Sequence, residues 1–180
     1  LHYHLRRQRQ MCIRDRVKTA QQMLLQEIDK HEVTQSLENG TKSAALGFEA
    51  NLSEFLGFNQ GDNPVQTLRH AYSNLIHLKR APIKKKISAT KINYRFSVSY
   101  PSLTEMYAAT PLPWGGGRSW IKAIEKGGVS NFNYTLANSD FSSSRSGTAI
   151  QSKRQVRDFN YKPIPYLSPI INKFRLNAGL

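Results

Sequence analysis

The sequence predicts an α+β fold, with N-terminal helices packed on a mainly antiparallel β-sheet. Helical spacing of apolar residues dominates residues 17–80, and strict alternation takes over at Lys91–Tyr100. The later segments repeat that alternation without the regular strand–helix succession of a dinucleotide fold. The chain has 180 residues, 39% hydrophobic and 21% charged, which suits one domain with a single buried core.

The first sixteen residues, "LHYHLRRQRQMCIRDR", stand apart. They show no steady period, and "MCIRDR" resembles translated sequencing-adapter sequence. Residues 1–16 are therefore expected to be a non-native segment, with residues 17–180 as a single α+β domain carrying an extended N-terminal helix and a C-terminal tail. The whole chain has a net charge of +14; removing five Arg and one Asp leaves 21 basic and 11 acidic residues, a net charge of +10. The single cysteine, Cys12, lies in the segment set aside, so no disulfide or thiolate zinc site is expected in the domain. No apolar run approaches the roughly 18 residues of a membrane helix, and a soluble protein is expected.

Val17, Ala20, Leu24 and Ile28 recur on one helical face, so a helix is expected over Val17–Asn39 with Gly40 as its left-handed cap. The helix either lies on the core or reaches toward a neighbouring subunit. In "NLSEFLGFNQG", Leu52, Phe55, Leu56 and Phe58 are expected to insert into the core or a subunit contact. "GDNPVQTLRHAYSNLIHLKR" reads as a helix with Asn63 as cap and Pro64 at its first position. Val65, Leu68, Tyr72, Leu75 and Ile76 line one face, and Lys79 and Arg80 meet the C-terminal dipole.

Ile92, Tyr94, Phe96, Val98 and Tyr100 alternate with polar residues and mark a half-buried strand stopped by Pro101. Phe132, Tyr134 and Leu136 mark a second strand, and "TAIQSKRQVRDF" a third. "FSSSRSG" reads as a loop between them. The tail "NYKPIPYLSPIINKFRL" is expected to finish as a short helix after Pro169.

"TPLPWGGGRSWIKAIEKGG", Thr110–Gly128, holds both tryptophans around three glycines and an arginine. Such a run could cradle an anion or let backbone pack closely. It lacks the spacing and lysine of a P-loop and the spacing of a dinucleotide loop. Ser119 is expected to cap a helical turn ended by Gly127. His31–Glu32 lacks the second histidine of a zinc-protease helix, and His70 and His77, seven apart on the expected helix, are about 10 Å apart in rise. Glu105 and Glu125 are not paired at a spacing that hydrolysis requires, and the serines of "SSSRSG" lack an elbow or base. No enzyme activity, cofactor, metal or small-molecule substrate is expected.

Basic charge is the remaining signal. Lys79, Arg80, Lys84, Lys85 and Lys86 fall in nine residues, and Lys153, Arg154 and Arg157 follow in "SKRQVR". These form a candidate polyanion-binding set, or a solvated face. Trp114, Arg118 and Trp120 are interface candidates because aromatics and Arg concentrate in protein contacts, with the chain's own core as the alternative for the tryptophans. Phe55, Phe58 and Tyr166 complete that candidate interface set.

The order of "HEVTQSLENG", "NLSEFLGFNQGDNP", "PLPWGGGRSWIKAIEKGG", "SSSRSGTAIQ" and "YKPIPYLSPIINKF" resembles a family of tail-completion and head–tail joining (neck) proteins of tailed bacteriophages. The long glycine–tryptophan element is not universal in that family. The resemblance implies a non-catalytic α+β structural protein of the virion. It further implies a ring at the neck or tail end, contacting copies of itself and neighbouring virion proteins; the basic residues add non-specific DNA contact to the expected partners.

Overall fold

The computed structural model describes residues 2–39, 52–59, 61–80, 96–113, 116–127, 134–138, 149–155 and 163–180. Of residues 2–10, 54, 55, 80, 134–138 and 149–155 it describes the backbone alone. The expected cap at Gly40, residues 91–95 of the first strand, Phe132 and the "FSSSRSG" loop lie outside these residues.

The fold is mixed α+β. Its order is α1 (His2–Lys30), α2 (Glu32–Asn39), α3 (Leu52–Leu56), α4 (Gln66–Asn74), β1 (His77–Arg80), β2 (Phe96–Ser99), α5 (Leu103–Ala108), α6 (Trp120–Lys126), β3 (Tyr134–Asn138), β4 (Ala149–Gln155) and α7 (Leu167–Ala178). Among the described residues the strands form two antiparallel pairs, β1–β2 and β3–β4.

The face read from Val17, Ala20, Leu24 and Ile28 is the buried face of α1. It packs against α7, which runs antiparallel to it: Arg16 meets Asn177 at one end and Glu27 meets Lys173 toward the other. The helix begins earlier than Val17, because the turns upstream continue it without a break to His2. It also ends earlier than expected. His31 interrupts the helical run, and α2 restarts at Glu32 with Val33, Thr34, Ser36 and Leu37 buried.

Asn63 caps the turn leading into α4: its Oδ1 accepts from the Gln66 N–H at 3.1 Å. Pro64 follows it, where a missing N–H is harmless. Val65, Leu68 and Tyr72 are buried as expected, but Leu75 is 49% exposed. The helix stops at Asn74, and Ile76–Lys79 instead alternates half-buried and exposed along β1. Lys79 and Arg80 therefore sit on a strand rather than at a helix end, and His70 and His77 are not on one helix. Leu75–Ile76 fits the end of a helical stripe, but pairing of Leu78 with Val98 imposes period two. The same pairing confirms the alternation of Phe96, Val98 and Tyr100, which are half-buried between exposed serines.

Helix α5 was missed by apolar periodicity, although "SLTE" carries a capping box. Ser102 Oγ accepts from the Glu105 N–H at 3.3 Å, and the Glu105 carboxylate accepts from the Ser102 N–H at 2.6 Å. Those bonds hold the Glu105 carboxyl below its ordinary range. Helix α7 is longer than expected and starts before Pro169, which occupies its first turn, where no intrahelical donor is needed.

The core is built mainly from helices, with Trp120, Tyr72, Tyr166, Phe174, Leu24 and Ile28 among its largest fully buried side chains. Val98 of β2 and Tyr100 just after it pack against the core, and the Tyr100 ring meets Phe174 edge-on at 5.4 Å. Outside the core, Arg69 of α4 ties two helices to a third, donating to Asp29 of α1 at 2.8 Å and making a two-pronged pair with Glu38 of α2. The guanidinium hydrogen bonds hold the Glu38 carboxyl below its ordinary range.

Several helix ends are satisfied by distant side chains. Glu125 of α6 accepts from the Ser168 N–H at 2.6 Å, the Tyr166 N–H at 3.2 Å, Ser168 Oγ at 2.8 Å and the Tyr107 hydroxyl at 2.6 Å. Among these are free donors of the first turn of α7. Burial, reinforced by the bond to Glu125, pushes the Tyr107 phenol up to about 12. At the other end Arg16 Nε donates to the Asn177 carbonyl at 2.7 Å, beside the left-handed Gly179. Gln21 Nε2 donates to the carbonyls of Tyr72 and Ser73, both at 2.8 Å, closing α4. Glu125→Ala leaves part-buried donors unpaired and is expected to cost about 2–4 kcal/mol in urea unfolding. Glu125→Gln, which keeps one acceptor oxygen, is expected to cost roughly half of that.

Candidate functional site

The segment Thr110–Gly127 is a closed loop leading into a capped helix. Its base is a backbone bridge between Pro111 and Ser119, with the Leu112 N–H donating to the Arg118 carbonyl at 2.6 Å and the Trp120 N–H to the Thr110 carbonyl at 3.0 Å. Thr110 Oγ1 lies 2.7 Å from the Met106 carbonyl and 2.9 Å from Ser119 Oγ. Ser119 Oγ in turn accepts from the Lys122 N–H at 3.2 Å, so Ser119 caps α6 as its sequence position predicts. Gly127 follows the last turn at φ 72°.

Gly116 and Gly117 have φ of 54° and 88°, a region that side-chain-bearing residues rarely adopt. A Cβ at either would meet no protein atom within 4 Å. The two glycines thus answer a conformational demand of the turn, not close packing against other protein backbone. The loop turns sharply enough to present Arg118 outward and send Trp120 inward.

Trp120 is 1% exposed. Its ring lies 5.9 Å from that of Tyr166 and 6.5 Å from that of Phe58, which it meets edge-on. Tyr166 is fully buried, with its hydroxyl 2.8 Å from Thr34 Oγ1, and burial pushes that phenol well above its ordinary range. Trp120 and Tyr166, expected among the interface residues, are therefore part of the chain's own core. The Ser119 cap starts α6 at Trp120, and Trp120, Ile121 and Ile124 are buried together on that helix, with the Trp120 ring against Tyr166.

Phe58 is half-buried against that core, and Gly57 at φ 80° turns the chain after α3 to place it there. Arg118 is exposed. Trp114 lies outside the described residues, and so does the side chain of Phe55. Of the basic candidates, Lys79 is exposed on β1, and the backbones of Arg80, Lys153 and Arg154 lie in β1 and β4. Lys84, Lys85, Lys86 and Arg157 lie outside the described residues. The structure brings Trp120, Tyr166 and Phe58 together; among the candidate interface side chains it describes, Arg118 alone is exposed.

The described residues also line an open groove of about 620 Å³ between α4 and α5, floored by Ala71, Met106, Tyr100 and Pro101 and rimmed by His70 and Glu105. Among the described residues no group of three or more His, Cys, Asp or Glu side chains could hold a metal, and no helix is long and apolar enough to cross a membrane. Comparison with protein-family models, with curated proteins and with solved structures finds no match for this chain.

Trp120→Ala removes the hub of the aromatic cluster and is expected to lower stability by about 3–5 kcal/mol. Arg118→Ala, one short loop away, is expected to change it by less than about 0.5 kcal/mol. Thermal unfolding of the two variants measures both.

Proposed function

We propose that this chain is a non-catalytic structural subunit of a tailed-bacteriophage neck or tail, assembling as a ring through contacts with copies of itself and neighbouring virion proteins. The order of sequence motifs favours this reading. The structural observation that carries it furthest is the 110–119 loop: its base is pinned by backbone and hydroxyl hydrogen bonds, and Trp120 anchors the adjoining helix in the core. A loop held at its base can present Arg118 to a partner at little conformational cost. In this reading the N-terminal helices back onto antiparallel strands, with Val98 and Tyr100 supplying the β2 contribution. The site of action is the virion, after synthesis in the bacterial cytoplasm.

A second reading is a basic nucleic-acid-binding protein. It is favoured by the position of Lys84–Lys86 in the connection between the paired strands β1 and β2, with exposed Lys79 leading into it. The Lys153–Arg157 run begins on β4. Binding to duplex DNA through these residues would weaken steeply as salt rises.

Native mass spectrometry is expected to show a closed oligomer that persists at high salt. Arg118→Glu is expected to shift the population toward monomer without moving the unfolding midpoint. A chain that stays monomeric at high concentration and does not join purified virions would overturn the structural reading. Salt-sensitive binding of duplex DNA by that monomer would favour the second.

A further inference from the structure

His31 occupies the break between α1 and α2 and belongs to neither helix. Its Nδ1 accepts from the Val33 N–H at 3.2 Å, serving a donor at the start of α2 that has no intrahelical partner. The ring also faces the Pro165 carbonyl, and it lies 4.8 Å from the ring of Tyr166. Because Nδ1 accepts from Val33, the neutral ring carries its proton on Nε2. One neutral imidazole thus joins the α1–α2 junction to the segment that leads into α7.

We propose that His31 is a proton-operated latch: protonation at Nδ1 removes the acceptor for Val33 and loosens the first turn of α2 at its junction with α1, while Thr34 Oγ1 keeps its bond to the Tyr166 hydroxyl. An imidazolium has two donors and no acceptor, so the Val33 N–H would face another N–H. Burial also opposes the charge and is the largest influence on the group, holding its proton affinity below that of an ordinary histidine. Three carboxylates pull the other way: Glu32 of α2, Glu27 of α1 and Glu125 of α6. The Pro165 carbonyl does so as well. Lys30, the preceding residue, is exposed, and the Tyr166 phenol is neutral. Burial outweighs the four opposing contributions.

The direction follows from linkage. The opened junction binds a proton near the ordinary histidine value of 6.5, and the closed junction does so only at lower pH. Closure is therefore at full strength above that value and weakens as pH falls below it.

Amide exchange at Val33 and Thr34, corrected for intrinsic rates, tests the latch between about pH 7 and about pH 5. Protection is expected to fall with pH in the wild type and to stay level in His31→Asn, whose Oδ1 replaces the Nδ1 acceptor without titrating. Equal pH dependence in both proteins would overturn the proposal. Ring ¹⁵N shifts of wild-type His31 decide independently of whether the variant folds. An Nε2–H tautomer titrating below 6.5 supports the latch, and an Nδ1–H tautomer or a midpoint at or above 6.5 overturns it.

Discussion

The carboxylate of Glu125 is the point on which α5, α6 and α7 converge. It accepts four hydrogen bonds, from a phenol, a serine hydroxyl and two backbone amides. A carboxylate can accept about four such bonds, so its capacity is filled. The two amides belong to the approach and first turn of α7, where the helix dipole favours negative charge. Once Glu125 is placed, Tyr166 sits between His31 and Trp120, and α7 runs back along α1. Much of the helical core is thereby oriented by a single half-buried side chain of a short helix.

Helix termini elsewhere follow the same pattern. Gln21 closes α4 and Arg16 closes α7, each from a different segment of chain, whereas His31 opens α2 from the residue just before it. Supplying a terminus from a neighbour couples secondary structure to packing, because the end is satisfied only after the partner helix has docked. Short helices such as α2 gain most, since so few residues form a marginal helix in isolation.

The glycine–tryptophan segment combines an exposed turn with a buried start of helix. Two glycines at positive φ make the turn, and a threonine–serine hydroxyl pair pins its base. The adjoining tryptophan is then part of the core rather than of the displayed surface. What such a segment offers a partner is the exposed arginine on a supported loop, and this underlies the proposed assembly role.

Local rules were legible in the sequence wherever they depend on near neighbours. The inward stripe of Val17, Ala20, Leu24 and Ile28, the caps at Asn63 and Ser119, and the alternation of Phe96, Val98 and Tyr100 all follow from periodicity or capping chemistry within a few residues. The Ser102–Glu105 capping box was equally local, although apolar spacing did not reveal it. Tertiary structure alone decided the rest. Leu78 and Val98 had to pair before Leu75 became exposed and β1 replaced the end of a helix. Trp120 and Tyr166 were chemically suited to an interface or a core, and only the docking of α6 against α7 put them inside. Glu125 and His31 carry no sequence signature for their roles. Ser168, which donates to Glu125, lies 43 residues from it, and the Tyr166 ring that meets His31 is still more distant in sequence; contacts across such separations depend on how the chain packs, not on the spacing of its residues.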